Sequence, residues 1–480
     1  MTPVPDYKVR KHFPPGPRQQ PLVGNLKDIP SGGNEWDAYE ALGKKCGIDV
    51  VYFNALGSHL VVLNKFEAAR ELLDKKGSIY SSRPRLVMIN ELWGWDWNLI
   101  MMPLGKAFQA YRKVVQQEFQ PSVVAESHRI IIARETIAML GRLMKTPDRL
   151  PEHLKQMAGA TIMAITYGHH VTSADDEFVA LAEAVREHAE KTPGSSIVDV
   201  IPLLKYLPSW FPGAQFQRDA EIMRRLSLDM RLAPYNAVKK LIDYGTAVPS
   251  IITRLIQSES PLEGVPAGEF AMNAAGVIYS GITVSALLNF ALAMSLYPEV
   301  QERAQQDLDR VVGRDRLPTF EDRQELPYVS NLVKETLRWK AVSPLALLLT
   351  ARCNSAMLHD ESVYTSPHEF DPNRYNPTPK RPTGEPDPSR AAFGFGRRIC
   401  PGRYFADDAL FLAIACMLHV FKISDPSESR ERAQVQWSSG LVRRVSPLVP
   451  SPFPYKIIPR FSGAQDLSRV SERCIMKATR

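Results

Sequence analysis

Apolar residues recur every three or four positions over most of this chain and alternate only near its start. The first spacing predicts amphipathic helices over 157–167, 176–191, 217–244 and 248–257. Residues 49–63 alternate instead, with a turn at Leu56-Gly57-Ser58, and predict two short strands. A helix is predicted directly after them, over 66–76. The longest helix is predicted over 270–296, and Pro298 opens the next at a position where proline is tolerated. A further apolar run, 404–420, predicts a helix near the C-terminal end. Residues 197–211 are apolar but broken by Pro202 and Pro208, so they cannot span a bilayer, and core packing is their expected use. The pattern as a whole predicts a mainly α protein with a small β region near the N-terminus. No internal repeat or low-complexity tract interrupts it.

The ends of the chain read differently. Residues 1–13 are polar and basic, with neither a membrane-spanning run nor the apolar core of a signal peptide, so no anchor is expected from the sequence as written. Pro14-Pro15-Gly16-Pro17 stiffens the connector that follows. The last stretch, 461–480, is polar and basic and is expected to be poorly ordered. These bounds predict an arm (1–13), one body (14–460) and a tail (461–480). Within the body, Trp93, Trp95 and Trp97 form an aromatic cluster in a loop-rich section, where such residues usually serve the core.

Composition changes this picture little. A length of 480 residues with 44% hydrophobic residues is ample for one large core. The net charge of +7 suits an acidic protein partner or an anionic membrane surface. No Lys/Arg block with interleaved aromatics occurs, so no nucleic-acid partner is expected. Cys46, Cys353, Cys400, Cys416 and Cys474 are scattered and contain no C-x-x-C, which argues against a disulfide scaffold or zinc site and for a reducing compartment. G-x-S-x-G and H-E-x-x-H are also absent.

The chemistry concentrates in Phe393-Gly394-Phe395-Gly396-Arg397-Arg398-Ile399-Cys400-Pro401-Gly402. Its glycines allow tight turns and close approach of a flat partner. Arg397 and Arg398 bring fixed positive charge. Cys400 stands just before a helix start, where backbone N–H groups and the helix dipole favour a thiolate. A thiolate beside arginines suits a metal whose organic ligand carries carboxylates, and haem has both iron and propionates. The G-x-G within the run does not make a dinucleotide fingerprint, because Ile399 holds the third glycine position and no βαβ pattern precedes it.

This run resembles the cysteine signature of the cytochrome P450 family, Phe-x-x-Gly-x-Arg-x-Cys-x-Gly, and fills every fixed place with Phe393, Gly396, Arg398, Cys400 and Gly402. Other stretches resemble the family in the same order along the chain. The Pro-rich connector and Leu22-Val23-Gly24-Asn25-Leu26 resemble the hinge that follows the anchor of microsomal members. Phe108 to Arg112 resembles Trp-x-x-x-Arg, with Phe108 in place of tryptophan; the resemblance implies that Arg112 pairs with a haem propionate. Glu335 and Arg338 form Glu-x-x-Arg on one helix face, and Arg374 fits the downstream Phe-x-Pro-x-Arg. In the family these three form a buried structural cluster.

The resemblance implies the cytochrome P450 fold, a heme b cofactor bound through the Cys400 thiolate, and insertion of one oxygen atom from O2 into an apolar organic substrate. It implies an oxidoreductase of the secondary-metabolism type, fed with electrons by an NADPH-dependent flavoprotein reductase. Arg112, Lys113, Arg397 and Arg403 are the expected docking face for that acidic partner. It also implies the cytoplasmic side of the endoplasmic reticulum, with peripheral membrane contact near 197–211.

Two stretches depart from the family. The long helix lacks the acid that serves proton delivery, and Thr283 is the one nearby threonine, assigned to that relay if the helix shifts by one residue. The segment after Arg338, residues 340–364, is short by roughly two strands of ordinary length. These departures leave an alternative: a haem-binding member of the family with little or no monooxygenase activity.

Overall fold

The computed structural model describes residues 13–30, 35–173, 175–192, 197–279, 284–346, 350–426, 437–439, 448–464 and 467. Helices dominate. Val284–Leu296 is apolar on almost every side and lies almost wholly buried, and Arg403–Val420 becomes so after Asp408, past a first turn that carries charge, as a helix without a polar face must. Lys106–Glu118 and Pro298–Val311 carry an apolar stripe instead and bury that face, whereas Pro327–Trp339 buries its polar residues as well. Leu150–Tyr167 packs along Arg129–Lys145, which in turn packs on Arg403–Val420. The loop 393–402 is thereby held at the head of a long helix that is buried from Asp408 onward.

The expected helices form, and their ends have local causes. Asp176 caps Glu177–Lys191 by accepting from the backbone N–H groups of Phe178 and Val179. Ser250 and Thr253 make a reciprocal capping box that starts Ile251–Gln257, after Pro249. Gly168, at φ +66°, ends Leu150–Tyr167 in the left-handed conformation. The helix expected over 66–76 widens after Ala69 into a π-helical stretch, Arg70–Lys75. Residues 270–296 are seen as Ala267–Tyr279 and Val284–Leu296; positions 280–283, and with them Thr283, lie outside the described residues. The longest described helix is Gln215–Asp243. Ala267–Leu296 has the length and hydropathy to cross a membrane, but 86% of its apolar window is buried inside the fold, so it serves as core.

The β region draws on both ends of the chain. β1 (Val50–Ala55) and β2 (Ser58–Leu63) form the expected hairpin. β3 (Leu345–Ala346) and β4 (Thr350–Cys353) come from the segment after Arg338, and the sheet order is β1-β2-β4-β3. β4 runs parallel to β2, with Val61 opposite Thr350. The Pro-rich connector lies along β1, where Tyr52 N–H donates to Pro15 O at 2.9 Å. Gly16 passes so close that a Cβ there would meet Tyr52 O at 1.9 Å. Past position 460, Phe461 still packs edge-on against His419 and Ala464 is buried.

Candidate functional site

The loop 393–402 is shaped by its own backbone. Cys400 N–H donates to Phe393 O at 2.8 Å, which closes the loop on itself. Gly396 has φ +51°, and a Cβ there would stand 2.1 Å from Leu73 O, so only glycine fits against the π-helical stretch behind it. Gly402 has ordinary backbone angles and open space where a Cβ would be. Gly402 precedes Arg403–Val420, whose first turn starts with Ala406 N–H on Gly402 O. The thiol-bearing residue is thus presented at a helix N-terminus, as the sequence predicts.

Two guanidiniums converge on this loop. Arg112 Nη2 donates to Ile399 O, the carbonyl just before Cys400. Arg398 donates to Ser81 O at 2.9 Å, Leu99 O at 3.0 Å and Met102 O at 2.6 Å, and lies 3.8 Å over the Phe108 ring. Among the described residues neither meets a carboxylate. Burial lowers the Arg112 pKa, partly offset by Cys400, and burial followed by repulsion from Arg112 pushes Arg398 down to about 10. Two neighbouring, desolvated cations with only carbonyl partners call for anions. A haem, with two propionates on one edge, fits this donor set.

Arg112 is buried, so the expectation that it belongs to an exposed docking face is corrected: its charge is turned inward. Lys113 and Arg397 are exposed, and Arg403 is half-buried and donates to Tyr404 Oη at 2.8 Å. The substitution of Phe108 for tryptophan replaces an N–H donor with a cation–π platform for Arg398.

Two of the three other described cysteines are buried, and Cys46 is half-buried on Glu35–Cys46. Cys353 and Cys416 are buried among apolar side chains, where desolvation raises both thiols, Cys353 to about 12. Their sulfurs point at the Trp36 and Pro318 carbonyls. Cys474 lies outside the described residues.

The Glu335–Arg338–Arg374 cluster forms, and it has more members than expected. Glu335 and Arg338 are fully buried. Arg338 Nε and Nη2 grip Glu335 at 2.9 and 2.8 Å, and its remaining donors reach Leu358 O, Pro367 O and Glu369 O. Glu335 also accepts from Arg374 Nε at 3.1 Å, Tyr375 Oη at 2.9 Å and Asp371 N at 2.9 Å. Arg374 then bonds Glu385 at 2.8 Å. Sequence reasoning missed Glu385, which makes the buried cluster neutral, with two acids against two bases. The only signal for it is an acid within the Pro-rich connector 375–390.

A haem-thiolate fold with this loop and this cluster defines the class, and comparison with known proteins settles membership. The family described as Cytochrome P450 matches residues 14–355 and 351–450. The two matches meet inside the segment that reads as shortened. Similar proteins include cytochrome P450 monooxygenase 208 of Postia placenta, 37% identical over 95% of this chain and 92% of that protein. Cytochrome P450 monooxygenase claR of Ampulloclitocybe clavipes is 35% identical over 97% of this chain and 90% of its own length. Cytochrome P450 monooxygenase ple1 of Rhodocybe pseudopiperita is 33% identical, with 98% and 94% covered. The chain belongs to the cytochrome P450 family, and it is a haem-thiolate monooxygenase.

Proposed function

We propose that Cys400 is the axial ligand of the haem iron and that Arg112 and Arg398 hold the propionates. Phe393, Gly396 and Gly402 shape the cradle. When bound, the haem supplies reductive activation of O2. The net reaction takes an apolar substrate R–H, O2, NADPH and a proton to R–OH, water and NADP+. The chain's residues do the positioning. Arg112 fixes the carbonyl preceding Cys400, so the thiolate sits at one place on its loop. Arg398 joins the cysteine loop to residues 99–102, so both walls of the cradle move together. Thr283 is assigned the proton relay by its place in the long helix.

The observation that carries this reading is a pair of desolvated guanidiniums beside Cys400, Arg112 buried and Arg398 half-buried, which meet no carboxylate among the described residues. Its test is the absorption spectrum of the reduced, carbon-monoxide-bound protein. The wild type should give the thiolate signature, and Cys353→Ser and Cys416→Ser should keep it. Cys400→Ser should lose it; a retained signature in that variant would put the ligand elsewhere.

Electrons are proposed to arrive from an NADPH-dependent flavoprotein reductase at the face holding Lys113, Arg397 and Arg403. A groove of about 490 Å3 opens there, lined among others by Phe108, Arg112, Lys113, Gln116 and Arg397. The cytoplasmic face of the endoplasmic reticulum is the proposed location. Leu203, Tyr206 and Trp210, 76%, 73% and 77% exposed, support peripheral contact there.

A further inference from the structure

A second cavity shares no residue with the cysteine loop or with Lys106–Glu118. It encloses about 290 Å3 between three helices. One wall is a face of Gln215–Asp243, on which Pro234, Ala237, Val238 and Leu241 recur at helical spacing. Pro234 interrupts the hydrogen-bond ladder of that helix on the same face. The facing wall is the turn that ends Leu150–Tyr167, from Tyr167 to His170, and Phe178 in the first turn of Glu177–Lys191 closes it. Tyr167, Phe178, Pro234 and Val238 are buried, while Leu241 and His170 are exposed, so the cavity has an apolar floor and an open mouth. Tyr279 fixes the floor: its Oη donates to Phe178 O at 3.1 Å, and its ring meets Tyr167 edge-on at 6.4 Å. Gly168, at φ +66°, turns the chain from that floor to the two histidines.

The two imidazoles have defined roles. Arg134 can only donate, so His170 Nε2 accepts from its Nη1 at 3.1 Å and the proton of the neutral ring sits on Nδ1. Partial burial, then Arg134, lowers the His170 pKa, so the ring is neutral at about pH 7. A carboxylate can only accept, so His169 Nε2–H donates to Asp176 Oδ2 at 2.7 Å, and Nδ1 of its neutral ring is an acceptor. Neither Nδ1 has a partner among the described residues. The lining thus offers one hydrogen-bond donor and one acceptor. The charges beside the imidazoles are matched already: Asp176 faces His169, and Glu135 holds Arg134 at 2.9 Å.

We propose that this cavity is a second binding site, and that its ligand is a compact, uncharged alcohol or phenol whose hydroxyl bonds His169 and His170 while its skeleton lies on Phe178 and Val238. A hydroxyl both donates and accepts, which matches one acceptor and one donor. A hydrocarbon leaves both unmet. A carboxylate only accepts, and it brings a charge that Asp176 and Glu135 oppose. The volume lies just below the about 300–1,000 Å3 of pockets for drug-sized ligands, which fits a skeleton of one ring. The monooxygenase reaction turns R–H into R–OH, so the site takes the class of compound that the enzyme makes and not the class that it consumes.

The test uses the haem-loaded protein and two probes, cyclohexanol and p-cresol, each against its parent hydrocarbon, cyclohexane and toluene. The protein is first saturated with clotrimazole, an azole that ligates haem iron, so that the haem pocket is filled. Binding is then read by equilibrium headspace analysis. At least one alcohol should bind about tenfold more tightly than its hydrocarbon, which is what two modest hydrogen bonds supply. Ala237→Phe, which fills the cavity, should remove this binding. His170→Ala should lower the preference to about threefold. Both variants should keep the carbon-monoxide spectrum. His170 is exposed, so that variant decides the matter if Ala237→Phe misfolds. The proposal is overturned if neither alcohol binds, if clotrimazole displaces the alcohol, if alcohol and hydrocarbon bind equally, or if the preference is unchanged in His170→Ala. A missing thiolate spectrum brings down the haem-cradle reading instead and leaves this site to be judged by the same alcohol and hydrocarbon affinities, because no cradle residue lines it.

Discussion

Gly396 shows how one residue can be dictated twice, by its own backbone and by a neighbour. Its φ of +51° disfavours any side chain, and the Leu73 carbonyl occupies the place where one would go. Gly396→Ala should therefore displace the cysteine loop from residues 70–75; the expected result is haem-poor protein, measured as absorbance per polypeptide. Arg398 should be nearly as sensitive for an electrostatic reason. Arg398→Ala leaves three carbonyls without donors and removes one proposed propionate partner, so haem retention should fall sharply, with Arg398→Lys intermediate. His419 gives a pH expectation. Burial, then Arg460, lowers its pKa to about 4, and burial likewise lowers His128. Below about pH 6.5 the unfolded chain takes up these protons and the folded one does not. For His419 stability should be full above that pH and decline as pH falls toward 4, at up to about 1.4 kcal/mol per pH unit, with His128 acting in the same direction. A flat unfolding midpoint across that window, measured by denaturant titration, would contradict the assignment.

At the scale of elements, the sequence is most legible where periodicity and capping agree. The strands expected within 49–63, the helix over 176–191 and the helix over 404–420 follow from alternation, helical spacing and an apolar run, and the structure adds the Asp176 cap. The cysteine loop was legible because five fixed residues fall in ten positions. What stayed hidden depends on tertiary partners. Nothing in the sequence says that Arg398 binds the carbonyls of residues 81, 99 and 102, or that Arg112 turns inward. The indole N–H groups of Trp93, Trp95 and Trp97, buried without an acceptor among the described residues, were hidden too, because a Trp cluster reads as core whether or not its N–H groups are used. β4 was hidden because its partner, β2, is far away in sequence. The long helix carries the oxygen-chemistry expectation. With the acid absent from the sequence, the proposed relay leaves proton delivery to Thr283 or to water, which is expected to be slower general-acid work. With a reductase present, NADPH consumption should exceed product, the balance appearing as peroxide, and Thr283→Ala should lower product further. One product per NADPH in the unaltered protein would show that the relay is elsewhere.

For the whole molecule, the buried cluster fastens the helix 327–339 to the connector 365–385. Removing one member strands its partner in a site without water. Glu335→Ala or Arg374→Ala should cost about 3–5 kcal/mol, a large part of the ~5–15 kcal/mol that keeps a domain folded. Glu385→Gln should cost less, about 1–3 kcal/mol, because Arg374 keeps Glu335. Soluble, fully haem-loaded Glu335→Ala protein would argue against the cluster as the fastening. The ordering of these losses, read from urea midpoints, separates the core of the cluster from its rim.

The sheet carries a consequence for how the protein is made. β2 completes its ladder only with β4, and flanking contacts tie the same regions: Lys65 bonds Asp360 across 295 residues, and Cys353 reaches Trp36 across 317. A ribosome adding about 5–20 residues per second needs tens of seconds to supply β4 after β2 has emerged. Throughout that interval the outer edge of β2 offers unpaired backbone groups to any other strand. Nascent chains stalled before Thr350 should therefore be open to protease near the hairpin and bound by chaperones, whereas chains stalled after the C-terminus has cleared the exit tunnel should resist. Equal resistance at both stalling points would mean that the hairpin is covered by something other than β4.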